Sequence, residues 1–270
     1  MPPTLANIAG SLHAQRDLDG AEPLYREALE RRRALLGPDD PEIATTSANF
    51  AALLSARGAH AAAESLLRES VRIQRAGDAP GLLLAVSLNN LGTTLIRDKR
   101  HAEALEPLEE SLAIREHTLG PDHPEVAKTL NNLGSALEWL ERLEEAEPRY
   151  RRSLEIKQQR LGREHPSVAI SLNNLAGCLN KLGRLDEAEP LYLESIAIRR
   201  KVYGPKHSNV GVALGNLARV YEDRGDRARA LRLRREALSI HREAQGPDAP
   251  ETKLAQEALD RLVAGTTPAR

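Results

Sequence analysis

The chain has 270 residues, 41% hydrophobic and 29% charged, with 38 basic against 39 acidic side chains. A net charge of −1 favours neither nucleic acid nor an anionic membrane surface, and no apolar run approaches the ~18 residues of a membrane helix. One cysteine, Cys178, leaves no internal disulfide and no cysteine-based zinc site, which fits a reducing, cytoplasmic compartment. Met1-Pro2-Pro3-Thr4 has neither a basic nor an apolar signal region. Aromatics are only 3% of the chain, so Leu, Ala, Val and Ile must fill the core. Leu and Ala favour closely packed helices, and the chain reads as all-α.

Asn7, Asn49, Asn90, Asn132, Asn174 and Asn216 stand 42, 41, 42, 42 and 42 residues apart, and Ala21, Ala63, Ala104, Ala146, Ala188 and Ala230 repeat with them. A fixed period of this length marks a stack of similar units, each burying its apolar face against its neighbours. Six units follow in order, at about 4–40, 41–79, 80–123, 124–165, 166–207 and 208–249. They form one array over 4–263, with a capping helix at 250–263 and a flexible tail at 264–270.

The first unit enters at Thr4 to Leu12 with no capping loop, which suggests an upstream segment or an abruptly exposed first helix. The second unit is irregular: Ser47 replaces a leucine, its second helix ends early at Gly77, and the loop from Gly77 to Gly81 is longer, so the pitch should change locally. In the third unit Leu88, Leu91, Gly92 and Leu95 fall on one helical stripe. The stripe recurs as Leu130, Leu133, Gly134, Leu137, then Leu172, Leu175, Ala176, Leu179, then Leu214, Leu217, Ala218, Tyr221. The small residue lets another helix approach closely. Pro23, Pro148 and Pro190 follow the repeated alanine by two residues, which predicts that each lies in the first turn of a second helix, beginning near Asp186 in the fifth unit. Loops such as Gly37-Pro38-Asp39-Asp40-Pro41, Gly120-Pro121-Asp122-His123-Pro124 and Gly162-Arg163-Glu164-His165-Pro166 should end one helix on a left-handed glycine. The polar residue before the second proline should cap the next helix. In the final helix Ala258 and Asp260 replace the Asn and the small residue, as suits a cap.

Leu-x2-Leu-Gly/Ala-x2-Leu/Tyr followed by Ala-x3-Tyr is similar to the tetratricopeptide pattern. With Leu130-Asn131-Asn132-Leu133, Glu145-Ala146-Glu147-Pro148, Leu161-Gly162 and His165-Pro166, it resembles the long repeat of kinesin light chains and their bacterial relatives over about residues 4 to 245. The resemblance implies a right-handed superhelical solenoid. It lacks the preceding heptad-rich segment through which kinesin light chains attach the motor, so motor binding is not implied.

The repeated Asn lies about 150° from the centre of the buried stripe on its helix. By resemblance this is the concave face, lined also by Thr45, Val86, Lys128, Ile170 and Val212, by Thr93, Ser135, Gly177 and Arg219, and by Arg97, Trp139, Lys181 and Asp223. Asn49, Asn90, Asn132, Asn174 and Asn216, with Asn131 and Asn173, are the candidate peptide-binding ladder, joined by Arg97, Lys128, Ser135, Trp139 and Lys181. An amide can bond both the N–H and C=O of a ligand backbone. Alternatively the Asn is an inherited copy or bonds the adjacent unit. On the first reading Asn132 and Asn174 contribute little to stability. Trp139 either anchors a ligand side chain or packs on the end of its own pair, and the groove is either mildly basic or a solvated mixture.

His123, His165 and His207 stand one repeat apart and cannot share a metal, so they read as loop caps. Cys178 reads as a small buried hydrophobe. No nucleophile elbow, phosphate loop or HExxH motif occurs, so neither an enzyme nor a cofactor is expected. The expected function is a scaffold binding a protein or peptide in its groove. The alternatives are a self-assembly module using its exposed ends and a nucleic-acid adaptor using Arg224, Arg227, Arg229, Arg232, Arg234 and Arg235. The partner and the oligomeric state are not encoded legibly.

Overall fold

The structure, a computed structural model, describes residues 4–77 and 81–265; the first three residues, the lengthened loop at 78–80 and the tail from 266 lie outside the described residues. Among the described residues there are thirteen helices and no strand. The chain divides into two compact units, Met1–Glu141 and Arg142–Arg270. The first holds α1 (Leu5–Ala14), α2 (Leu18–Leu35), α3 (Pro41–Ala56), α4 (His60–Ala76), α5 (Gly81–Arg97), α6 (His101–Leu119) and α7 (Pro124–Trp139). The second holds α8 (Leu143–Leu161), α9 (Pro166–Lys181), α10 (Leu185–Tyr203), α11 (Ser208–Asp223), α12 (Arg227–Gln245) and α13 (Pro250–Ala264). Within each unit a first helix packs on its own second helix (α3 on α4, α5 on α6, α9 on α10, α11 on α12). Each second helix packs on the next first helix, as α2 on α3, α4 on α5, α8 on α9 and α10 on α11.

The small residue of the stripe does what its position predicts. A Cβ on Gly92 would lie 2.4 Å from Leu108 Cγ, so α5 and α6 reach this separation only without one. Ala176 and Ala218 are fully buried at the same place. The second helices contribute a hydroxyl to the same contact. Ser70, Ser111 and Ser195, all fully buried, donate to the carbonyls of Ala44, Ala85 and Ala169 at 2.8, 2.7 and 2.7 Å. Each bond satisfies a buried polar group while tying the two helices of a pair.

Two local expectations are corrected. The fifth pair's second helix starts at Leu185, beside the expected Asp186, but Pro23, Pro148 and Pro190, with Pro107 at the same place, lie in the second turn of their helices and not the first. The carbonyls they leave without a donor belong to Asp19, Glu103, Glu144 and Asp186, all exposed, where water can replace the missing N–H. The loop glycines also differ. Gly120 has φ 87° and ψ 157°, an extended conformation of positive φ open essentially to glycine alone, and not the left-handed helical one. Gly162, Gly204 and Gly246 repeat it, whereas α2 ends on Leu36 in ordinary extended geometry. The capping residues do act as read: Asp40 Oδ1 and the Nδ1 atoms of His123, His165 and His207 accept from the backbone N–H two residues on, at 2.8 to 3.2 Å. At the amino end Thr4 caps α1, accepting from Asn7 N–H at 3.3 Å. At the carboxyl end α13 runs to Ala264, one residue beyond the expected cap. A relay from Arg242 to Gln256 (2.6 Å) to Asp260 (2.8 Å) ties it to α12 and leaves polar groups along its surface.

A feature not anticipated runs through the junctions between pairs. Arg32, Gln74, Arg115, Lys157, Arg199 and His241 occupy one position of the period, in the last turns of the second helices, and all but Arg32 are buried. Arg115 donates to Glu125 O at 2.9 Å and Thr129 Oγ1 at 2.7 Å, and Arg199 to Asn209 O at 2.9 Å, so each stitches its helix to the start of the next pair. Lys157 has one partner among the described residues, Ser171 Oγ at 2.7 Å. Burial pushes its ammonium down from 10.5 to about 8.

Gly92→Ala should therefore cost roughly 1–3 kcal/mol by overpacking, read as a lower urea midpoint. Gly37→Ala, with nothing within 4 Å of the added carbon, should change little. Lys157 makes a pH prediction. Its folded value lies below the unfolded one, so between about pH 8 and 10.5 only the unfolded chain holds the proton. Stability should rise through that window by about 3 kcal/mol and be lost as pH falls through 8. Lys157→Met should be at least as stable at pH 7 and should lack the rise. Parallel pH profiles of the two proteins in urea would refute this origin.

Candidate functional site

Two buried flanks leave first helices such as α3, α5, α9 and α11 one open stripe, and the candidate residues fall at its positions. In the first unit Asn49 is exposed and Asn90 half-buried, and neither side chain has a partner among the described residues. Asn132 differs. Its Nδ2 donates to Asn89 Oδ1 at 3.1 Å and to Thr93 Oγ1 at 3.3 Å, both on the preceding first helix. In the second unit Asn216 Nδ2 donates to Asn173 Oδ1 at 3.1 Å. These two amides join adjacent repeats, one of the readings left open by the sequence, and on that reading Asn132 contributes to stability. Asn131 and Asn174 are half-buried.

The acceptor explains which amides are tied. Asn89 is buried, 2% exposed, and precedes Asn90 as Asn173 precedes Asn174. The equivalent places before Asn7 and Asn49 hold Ala6 and Ala48, which offer no side-chain acceptor, so Asn49 and Asn90 face nothing they can bond across the junction. Sequence reading missed Asn89, though the Asn-Asn doublet at 89, 131 and 173 against alanine at 6 and 48 was the available signal.

The flanking residues are placed as follows. Arg97 is exposed and donates to Ser55 Oγ at 3.2 Å. Lys128 is exposed, 3.8 Å from the Glu125 carboxylate, Ser135 is half-buried, and Lys181 is exposed in the second unit. Trp139 is 64% exposed and stacks on His101, ring centroids 5.3 Å apart and 5° from parallel. The tryptophan thus rests on the turn of the preceding pair while its other surface stays accessible. Burial holds the His101 imidazole below the usual histidine range, so its ring is a neutral stacking partner at neutral pH.

Other candidates are absorbed by structure. Cys178 is fully buried. Among the described residues no group of three or more His, Cys, Asp and Glu could hold a metal ion, and no helix is long and apolar enough to cross a membrane. Much of the arginine cluster is matched. Arg224 bonds Asp186 and Glu189, Arg234 bonds Glu222 at 2.7 Å, Arg229 pairs with Asp226 at 3.2 Å, and Arg227 donates to Val263 O at 2.6 Å. Arg232 and Arg235 remain exposed.

Stacked helix pairs, a 42-residue period and the small residue at each crossing define a helical repeat protein. The family model described as Tetratricopeptide repeat matches residues 2–76, 83–159, 126–201 and 167–243, and the chain belongs to that family. Among solved structures it is similar to BtubC (BKLC) from P. vanneervenii, at 24% identity and TM-score 0.71, covering 84% of this chain and 91% of that one. It is also similar to a Podosopora anserina putative kinesin light chain with nearly identical TPR-like repeats, at 26% identity and TM-score 0.65, over 76% and 98% of the two chains. A third, YrrB, shares 20% identity at TM-score 0.50, over 86% and 97%. Comparison with curated proteins finds no match.

Asn132→Ala with Asn216→Ala should lower stability by about 0.5–1.5 kcal/mol for each lost amide bond. Asn49→Ala with Asn90→Ala should stay within about 0.5 kcal/mol of the parent. Thermal unfolding of the two double variants decides between a clamp and an ornament: equal melting temperatures would remove the clamp.

Proposed function

We propose that this chain is a non-catalytic protein-interaction scaffold of the cytoplasm whose open first-helix stripe, the concave groove of the family, binds an extended peptide or partner segment. One observation carries the reading. Amides free to bond a peptide backbone, Asn49 and Asn90, stand on the same stripe as the exposed aliphatic Val86, a stripe that packing does not need. Such a surface supplies donors, acceptors and apolar area together, which is what a peptide needs on leaving water. The likeness to YrrB, described as a TPR protein with an unusual peptide-binding site, supports the class of ligand.

Panning a displayed random-peptide library on the full chain, then measuring the recovered peptides by fluorescence anisotropy, tests this. Asn49→Ala with Asn90→Ala should weaken them about tenfold or more, the loss of two backbone bonds, with the helical circular dichroism unchanged. Failure to recover any peptide, or peptides indifferent to every substitution on the stripe, would reject the groove.

A further inference from the structure

Ile170 on α9, Val212 on α11 and Leu254 on α13 hold the same place in three consecutive repeats, 42 residues apart. They are 47%, 43% and 63% exposed. A single exposed aliphatic side chain is ordinary; three in register, four residues from the Asn position and off the buried stripe, form a row. The same place in the first unit reads Thr45, Val86, Lys128, so the unbroken row belongs to the second unit. Arginines accompany it: Arg219 and Arg261 lie seven residues after Val212 and Leu254, both exposed, and Arg219 has no partner among the described residues.

Resting on the groove reading above, we infer that this row docks a polyproline II segment carrying an aliphatic side chain at every third residue and carboxylates between them. The argument is one of matching periods. α9 and α11 pack directly, so Ile170 and Val212 stand about 8–10 Å apart. A polyproline II chain has three residues per turn and rises ~3.1 Å each, which brings every third side chain back to one face after ~9.3 Å. A β-strand places residues i and i+3 on opposite faces, and its same-face spacings are multiples of ~6.6 Å. An α-helix could match through positions seven apart, at ~10.5 Å, but its backbone is already bonded internally. The polyproline II backbone is not. Asn216 has committed only its Nδ2, to Asn173, and keeps Oδ1 as an acceptor one turn from Val212 for any non-proline N–H of the segment. The guanidinium of Arg219, exposed and without a partner among the described residues, selects an acidic residue at an intervening position.

The probe is a fluorescein-labelled proline-rich peptide with leucine at every third position and glutamate between. Its comparators are a peptide of the same composition with leucines at alternate positions and a helical peptide with leucines seven apart. The first peptide should bind best. Ile170→Asp and Val212→Asp should each weaken it roughly tenfold, and Arg219→Glu should shift preference toward a lysine-substituted version. Leu193→Asp, at an exposed leucine of α10 outside the row, should change nothing, and circular dichroism should confirm that every variant is folded. Equal or tighter binding of either comparator, or binding untouched by Ile170→Asp and Val212→Asp, overturns the assignment. If library peptides depend on Asn49 and Asn90 while the periodic peptide fails, the row is wrong and the groove stands; if nothing binds, both fall.

Discussion

Within each compact unit, internal first helices such as α3, α5, α9 and α11 are held between two second helices, their own and the one before, and the rest of the molecule follows from that grip. α5 lies against α4 and α6, and α11 lies against α10 and α12. A helix turning 100° per residue with two flanks buried has only one narrow stripe left for other uses. The grip itself demands small volumes where helices cross, hence Gly92 under Leu108, and polar groups that bond within the contact, hence Ser111 on the Ala85 carbonyl. Surface chemistry on that side is therefore confined to a few positions per repeat. Their residues recur because the geometry recurs.

Within the stripe the same residue type serves two ends. Asn132 and Asn216 are occupied by neighbours, while Asn49 and Asn90 are not, and the difference lies one helix away, in whether position 89 or 173 offers an amide or position 6 or 48 offers only a methyl group. The array is thus graded along its length. Junctions that carry an amide bond as well resist local opening more than junctions that lack one, and a ligand gripping Asn49 and Asn90 would take up amides that the folded chain leaves open.

The fold was legible in the sequence because its causes are local and repeated. Leu172, Leu175, Ala176 and Leu179 declare one helix face, and His165 before Pro166 declares a cap. Helix edges were less legible: a proline such as Pro190 is tolerated one turn deeper than propensity suggests because the carbonyl it strands, on Asp186, is in water. The site was only partly readable. A bond such as Asn132 to Asn89 depends on which rotamer meets which neighbour 43 residues away, and composition says nothing of that. Arg115 and Lys157 were passed over because a basic residue in a last helical turn normally complements the helix dipole from the surface. Their 42-residue register with Arg32, Arg199 and His241 was the clue that they face inward.

That register also bears on how such a chain can change over generations. Tandem repeats invite recombination that exchanges or deletes whole copies, yet these copies are not interchangeable parts. His241 fits against its own pair's first helix because Gly211 lacks a side chain; a Cβ there would lie 2.8 Å from the imidazole Nε2. The matching place in the fifth repeat is Ala169, whose methyl group would collide with that ring if the two first helices were exchanged. Lys157 and Arg199 likewise meet different acceptors, Ser171 Oγ in one case and Asn209 O in the other. An unequal crossover between copies would join one copy's basic residue to acceptors placed for another's, and each such mismatch would cost the new junction a bond.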